Sequence, residues 1–365
     1  MQPEDFFPPD YATARERFRA AAEAARAERV SLSLAARGPD ASPLAIDIAW
    51  CGPRSARRVL LHTSGLHGVE AFAGSAVQVA ALGELPTLPP GCALVLVHVL
   101  NPYGMAWLRR ANENNVDLNR NFLPTGAPHG DGRVATLYDR LDALLNPPSQ
   151  PAADFFKLRL VCSAARHGPR RLQQAIAEGQ YRYPRGLFFG GKELQPGPAS
   201  YLGWLGQNLQ QTDYLMALDL HTGLGRHGQS LLMAEPGAGV TPEHALSAAL
   251  GQPVVALASD ASRPYRVTGS MGASLPRVLP RAGIDFVLQE IGTYGPLSVL
   301  AALRDENRWH HHGSGGLEHP AKHALKEALC PSSPAWRRQA VEKGLALLQA
   351  AAAWTFGASF CGSKS

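Results

Sequence analysis

The order of apolar runs along the chain predicts an α/β fold, and three observations carry it. An apolar run at 59–63 ends in Ser64-Gly65, a segment of helical composition follows at 68–85, and a second run at 92–100 stops at Asn101-Pro102. Strand, loop, helix, strand is α/β wiring. Four more strand-like runs come later: YLMALDLHTG, QSLLMAE, PVVALAS and DFVLQEIGT. Helical stretches stand at both ends of the chain.

Taken in order, residues 11–28 are rich in Ala, Glu and Arg with apolar positions on one side, which predicts a helix. SLSLAARG and LAIDIAWCG alternate like the two strands of a hairpin. Residues 123–210 differ in character, with LPTGAPHGDG, NPPSQPAAD, YRYPRGLFFGGKELQPGPAS and two helical pieces. This stretch is expected as an insertion packed on a single domain spanning 1–365. The tail WRRQAVEKGLALLQAAAAW predicts a closing amphipathic helix.

The composition agrees with one large globular unit. Of 365 residues, 45% are hydrophobic and 18% charged, enough for a sizeable core and unlike a disordered chain. No apolar run approaches the roughly 18 residues of a transmembrane helix. The acidic, proline-bearing start MQPEDFFPPDYATARERF does not read as a secretory signal. Five scattered cysteines with no C-x-x-C pair fit reduced thiols, and the expected compartment is the cytoplasm. A net charge of +5 with no dense basic cluster gives no reason to expect nucleic acid. It favours anionic small substrates. No membrane partner is expected, and the oligomeric state is left open.

Some motifs fail in context. Gly223-Leu-Gly225-Arg-His-Gly228 fits G-x-G-x-x-G, but a strand follows where a dinucleotide site needs a helix, so a turn is expected. GLFFGGKE has Glu193 where a P-loop needs Ser or Thr. No serine sits in G-x-S-x-G. The triple histidine at 310–312 is expected in a solvated, Gly-flanked loop.

Four segments hold together, each at the end of an expected strand. HTSGLHGVEAF spaces His67 and Glu70 as H-x-x-E, a nitrogen and an oxygen donor that can reach one ion from a turn entering a helix. The competing reading is an unrelated surface pair. LNPYGMAWLRRANENNVDLNRNF places Arg109, Arg110, Asn119 and Arg120 in one polar loop, and arginine suits bidentate capture of a carboxylate. ALDLHTGLG puts His221 at the mouth of an apolar strand as a third ligand. In DFVLQEIGTYG, Glu290 ends an apolar run, where burial raises a carboxyl pKa toward general-base range. Two His and one Glu with an open position form a catalytic zinc pattern.

Read together, H-x-x-E, N-P-x-G, D-L-N-R-N-F, a strand ending in His and a strand ending in Glu resemble the zinc carboxypeptidase (M14-like) superfamily. That group also contains the aspartoacylase and succinylglutamate desuccinylase deacylases. The chain looks most like a bacterial, DUF2817-like branch, with the match over 57–122 and 212–296.

The resemblance implies a mixed, mostly parallel central sheet with helices on both faces. It implies one zinc per chain on His67, Glu70 and His221, with Asp117 orienting His67. It implies that Asn119 and Arg120 grip a substrate carboxylate, that Arg109 or Arg110 (Arg110 favoured) polarises the scissile carbonyl, and that Glu290 is the base. Tyr265, in SRPYRVTGS, is the candidate for the family's mobile tyrosine, with an ordinary loop tyrosine as the competing reading. The expected activity is zinc-dependent hydrolysis of an amide next to a free carboxylate, in a small molecule or short peptide. An N-acyl amino acid deacylase is the alternative, and an inactive binding module is the reading from another class.

Overall fold

The computed structural model describes residues 2–124, 136–235, 239–256 and 268–357. α1 (Tyr11–Ala24) leads into the hairpin β1 (Glu28–Arg37) and β2 (Pro43–Cys51). β3 (Arg58–Ser64), α2 (Ala71–Gly83) and β4 (Cys92–His98) follow, then the short α3 (Pro102–Ala106). α4 (Thr136–Leu145), α5 (Phe156–His167), α6 (Pro169–Ala177) and α7 (Pro196–Asn208) precede β5 (Tyr214–Gly223). β6 (Ser230–Ala234), α8 (Glu243–Leu250), β7 (Val254–Ala256), α9 (Leu275–Val278) and β8 (Gly283–Gly292) complete the sheet. α10 (Pro296–His312), α11 (Pro320–Leu329) and α12 (Pro334–Phe356) close the chain.

The eight strands lie in the order β1-β2-β4-β3-β5-β8-β6-β7. β4, β3, β5 and β8 run parallel at the centre. The β1–β2 hairpin adds antiparallel at one edge, and β6 adds antiparallel at the other. This is the mixed, mostly parallel sheet that the resemblance implied.

Side-chain alternation along the strands divides the interior in two. Leu60, Leu94, Leu96, Met216 and Leu218 face Phe18 of α1, Phe72 and Val77 of α2, and Trp336 and Leu347 of α12. Val59, Leu61, Val95, Leu215 and Phe286 face Tyr201, Trp204 and Leu205 of α7 and Leu275 of α9. Both faces are covered, which is why the central strands read as nearly unbroken apolar runs.

The stretch expected as one insertion divides. α4, α5 and α6 gather Tyr138, Leu141, Leu145, Phe156, Leu160, Leu172 and Ile176 into a small core of their own, with Leu297 and Leu300 of α10 packed against it. α7 instead closes the second main core. Among the described residues of this stretch, four helices stand where two helical pieces were expected. The triple histidine corrects another expectation. His310, His311 and His312 form the half-buried last turn of α10, because no Gly or Pro interrupts the chain between Pro296 and Gly313. The glycines at 223, 225 and 228 all have positive φ and make the turn from β5 to β6, as read from the sequence. No helix among the described residues is long and apolar enough to cross a membrane.

Candidate metal centre

β3 leads to β4 on one side of the sheet, and its other neighbour β5 leads on to β6, which lies beyond β8 on the opposite side. The carboxyl ends of β3 and β5 therefore flank a topological switch point, the place where open α/β sheets bind ligands. After β3 the chain turns at Gly65 (φ +67), reaches His67, and enters a 3-10 turn, Gly68–Glu70. Gly68 and Val69 donate backbone hydrogen bonds to the carbonyls of Arg110 (3.1 Å) and Arg109 (3.0 Å). A Cβ on Gly68 would lie 2.1 Å from the Gly104 carbonyl carbon, so this approach requires glycine. On the other side of the switch, His221 of β5 is register partner to Glu290 of β8.

These elements bring His67, Glu70 and His221 together, all buried, with donor atoms within 4.8 Å of one another. His67 Nδ1 and His221 Nδ1 are 3.1 Å apart. Glu70 Oε1 lies 3.0 Å from His67 Nδ1, and Oε2 lies 3.3 Å from His221 Nδ1. The Thr222 backbone N–H donates to Glu70 Oε2 at 3.0 Å and fixes the carboxylate.

Each imidazole has a carboxylate on its far nitrogen. His67 Nε2 is 3.0 Å from Asp117 Oδ1, and His221 Nε2 is 2.6 Å from Asp219 Oδ2. Asp117 also accepts from the Asn119 backbone N–H, and Asp219 accepts from the Thr63 hydroxyl. A proton on each Nε2 leaves each Nδ1 lone pair directed at the other. Two lone pairs at that separation repel unless a positive charge lies between them. Burial disfavours charge on His221, yet Asp219 and Glu70 outweigh it and hold the imidazole well above its usual range. The pocket thus draws positive charge to this point. Burial also opposes ionisation of Glu70, but His67, His221 and Arg110 hold it well below the usual carboxylate range.

Glu290 behaves oppositely. Burial, aided by the charge of Glu70, pushes its carboxyl up to about 7 against the pull of His221 and Arg110. Its Oε2 accepts a 3.3 Å hydrogen bond from the Leu224 backbone N–H. Arg110 donates to Glu70 Oε1 (2.9 Å) and Asp117 Oδ2 (3.1 Å) and brings Nη2 to 2.8 Å from His67 Nε2.

Two of the expected site residues lie away from the triad's open face. Arg109 does not reach the triad: it is 1% exposed and donates to Glu306 Oε1 (3.0 Å), Asn115 Oδ1 (2.8 Å) and Asn307 Oδ1 (3.2 Å). Arg120, expected to grip a carboxylate, is 2% exposed, with its guanidinium turned to the carbonyls of Ala177 and Asn119. Asn119 is buried beside it and accepts from the Met271 backbone N–H at 3.3 Å. Tyr265 lies outside the described residues. Asp219 was missed from sequence, although an Asp two residues before His221 on an apolar strand must share its face.

Residues 7–343 match the DUF2817 family, described as proteins of unknown function. The chain belongs to that family. This DUF2817 chain shares its fold with bovine thrombin-activatable fibrinolysis inhibitor, solved with tick carboxypeptidase inhibitor. The TM-score is 0.52 at 11% identity, covering 95% of this chain and 96% of that one. Another structure of thrombin-activatable fibrinolysis inhibitor gives 0.51 at 10% identity, covering 95% and 74%. Carboxypeptidase A from Helicoverpa armigera gives 0.47 at 14% identity, covering 94% and 73%. The two likenesses to thrombin-activatable fibrinolysis inhibitor, at these identities, show the fold alone. No curated protein matches the chain in sequence.

Proposed function

We propose that this chain is a metal-dependent amide hydrolase, with one zinc held by His67, Glu70 and His221. The observation that carries the reading is the pair of Nδ1 atoms facing each other at 3.1 Å, each ring fixed by its own carboxylate. The donor set fits: two imidazoles and one carboxylate are a catalytic zinc set. The charge fits as well. Among the described residues, the carboxyl groups of Glu70, Asp117, Asp219 and Glu290 outnumber the guanidinium groups of Arg110 and Arg120 around this point, a balance that suits a divalent cation.

A bound zinc would acidify a water and polarise the amide carbonyl. Glu290, its carboxyl poised near neutrality, takes the water proton and delivers it to the leaving nitrogen. Asp117 and Asp219 hold the two rings in the tautomer that presents Nδ1. His67 Nε2 has two claimants, Asp117 and Arg110. A ring that ligates through Nδ1 carries its proton on Nε2, which suits Asp117 and sets Arg110 against another donor. Arg110, half-buried, then turns from the ring to the oxygen of a substrate carbonyl and stabilises the charge developing there.

Metal analysis after zinc reconstitution is expected to give about one ion per chain. Glu290→Gln should keep that ion and lose roughly 10²- to 10⁴-fold in turnover. A chain that takes up no zinc, or a Glu290→Gln protein with near-native turnover, overturns the proposal. The latter result would leave a hydrolase whose base is not Glu290.

A further inference from the structure

We infer that Arg120 anchors the α4–α6 layer to the site and does not grip a substrate carboxylate, so that any preference for a free carboxylate beside the scissile bond does not run through this arginine. This rests on the hydrolase reading above and assigns the role of one residue in it.

Four features around Arg120 point the same way. Its Nε (3.1 Å) and Nη2 both donate to the Ala177 carbonyl, and Nη1 donates to the Asn119 carbonyl at 2.9 Å. Ala177 is the last residue of α6, where carbonyls lack helical partners and carry the negative end of the helix dipole. The end of α6 therefore offers the guanidinium what a carboxylate oxygen would offer. The chain then doubles back at Gly179, whose φ of +94 and close approach both require glycine: a Cβ there would lie 2.8 Å from Arg120 Cδ and 2.9 Å from Cγ. Finally, the Tyr181 hydroxyl donates to the Arg120 carbonyl at 2.6 Å.

Gly269 closes the other side of the Arg120 backbone, since a Cβ on it would lie 2.5 Å from the Arg120 carbonyl oxygen. To grip a substrate carboxylate, Arg120 would have to give up Ala177 while Gly179 and Tyr181 stayed against it. That would strand a helix-terminal carbonyl beside the buried Ile176. Arg109 offers no replacement, being committed to Glu306.

The test uses the full-length, zinc-loaded chain and a matched pair of N-acyl dipeptides, one with a free C-terminus and one amidated. The expected result is that Arg120→Gln keeps the free-acid to amide ratio of kcat/KM within about threefold of wild type, whereas loss of a bidentate carboxylate clamp would cut that ratio by roughly 10- to 150-fold. In parallel, Arg120→Gln should melt at a lower temperature and become cut by trypsin at Arg170, Arg171 or Arg182, with Arg120→Lys intermediate because one ammonium replaces a fork. A tenfold or greater preference for the free acid that disappears in Arg120→Gln overturns the inference. So does an Arg120→Gln chain as resistant to trypsin as wild type. A chain that binds no zinc and cleaves neither substrate removes the hydrolase reading alone, and the trypsin comparison still decides whether Arg120 is the anchor.

Discussion

Arg109 and Arg110 are neighbours in the chain and belong to two different buried charge clusters. Arg109 shares the Glu306 carboxylate with Lys322 and also donates to the side-chain carbonyls of Asn115 and Asn307. Two cations on one carboxylate, with neutral acceptors around them, need no further positive charge. Arg110 enters a pocket where carboxyl groups outnumber guanidinium groups and where two imidazole Nδ1 atoms face each other at 3.1 Å. Burial of charge does not distinguish a site from a structural cluster in this molecule. A shortage of one sign of charge does.

The largest expected effect comes from separating the two arginines. Arg109→Met should lower unfolding free energy by about 2–4 kcal/mol in urea titrations, because it breaks a buried pair while Lys322 stays with Glu306. Zinc affinity should remain within about threefold, since no ligand contact is touched. Arg110→Met should instead lower kcat by roughly 10²- to 10³-fold, as loss of an oxyanion donor does, with a smaller change in stability. If Arg109→Met loses turnover at full stability, the division between the clusters fails.

Asp219→Asn sharpens the comparison within the metal pocket. The amide can still accept from the His221 ring but no longer supplies a charge. Zinc affinity, read by competition with a chelator, should fall about 10- to 100-fold. An unchanged affinity would make Asp219 a fold residue like Glu306.

The smallest effect concerns pH. Glu290 titrates near 7 in the folded, metal-free chain against an ordinary value of 4.5, so the folded state holds its proton more tightly. Stability from this group is complete below pH 4.5 and is lost as pH rises towards 7. Metal-free Glu290→Gln should therefore exceed wild type by about 1–3 kcal/mol at pH 8, with the gap closing towards pH 4.5. A gap that widens in acid would show that Glu290 is charged and paired.

The sheet was legible because each central strand is a short apolar run with a clear stop, and the triad because H-x-x-E and -DLHTG- follow such stops. The surroundings of Arg109 and Arg120 were not legible for one reason: an arginine beside a site motif looks the same whether its partner is a substrate, a distant Glu306 or a main-chain carbonyl. The Ala177 carbonyl has no side-chain signature at all. Asp219 was legible in principle, through period-two alternation. The histidine helix end was missed because its flanking glycines suggested a loop, whereas thirteen uninterrupted residues ahead of the triple histidine continue α10.

The paired backbone hydrogen bonds from Gly68 and Val69 to the Arg110 and Arg109 carbonyls have a consequence for engineering. They fasten the turn bearing His67 to the loop bearing Arg110 through main chain alone, with Gly104 pressed beneath Gly68. Donor groups at positions 67, 70 and 221 can therefore be exchanged to court a different ion while the spacing of the scaffold stands. The same fastening makes Gly68 and Gly104 the two places where even a methyl group would undo it.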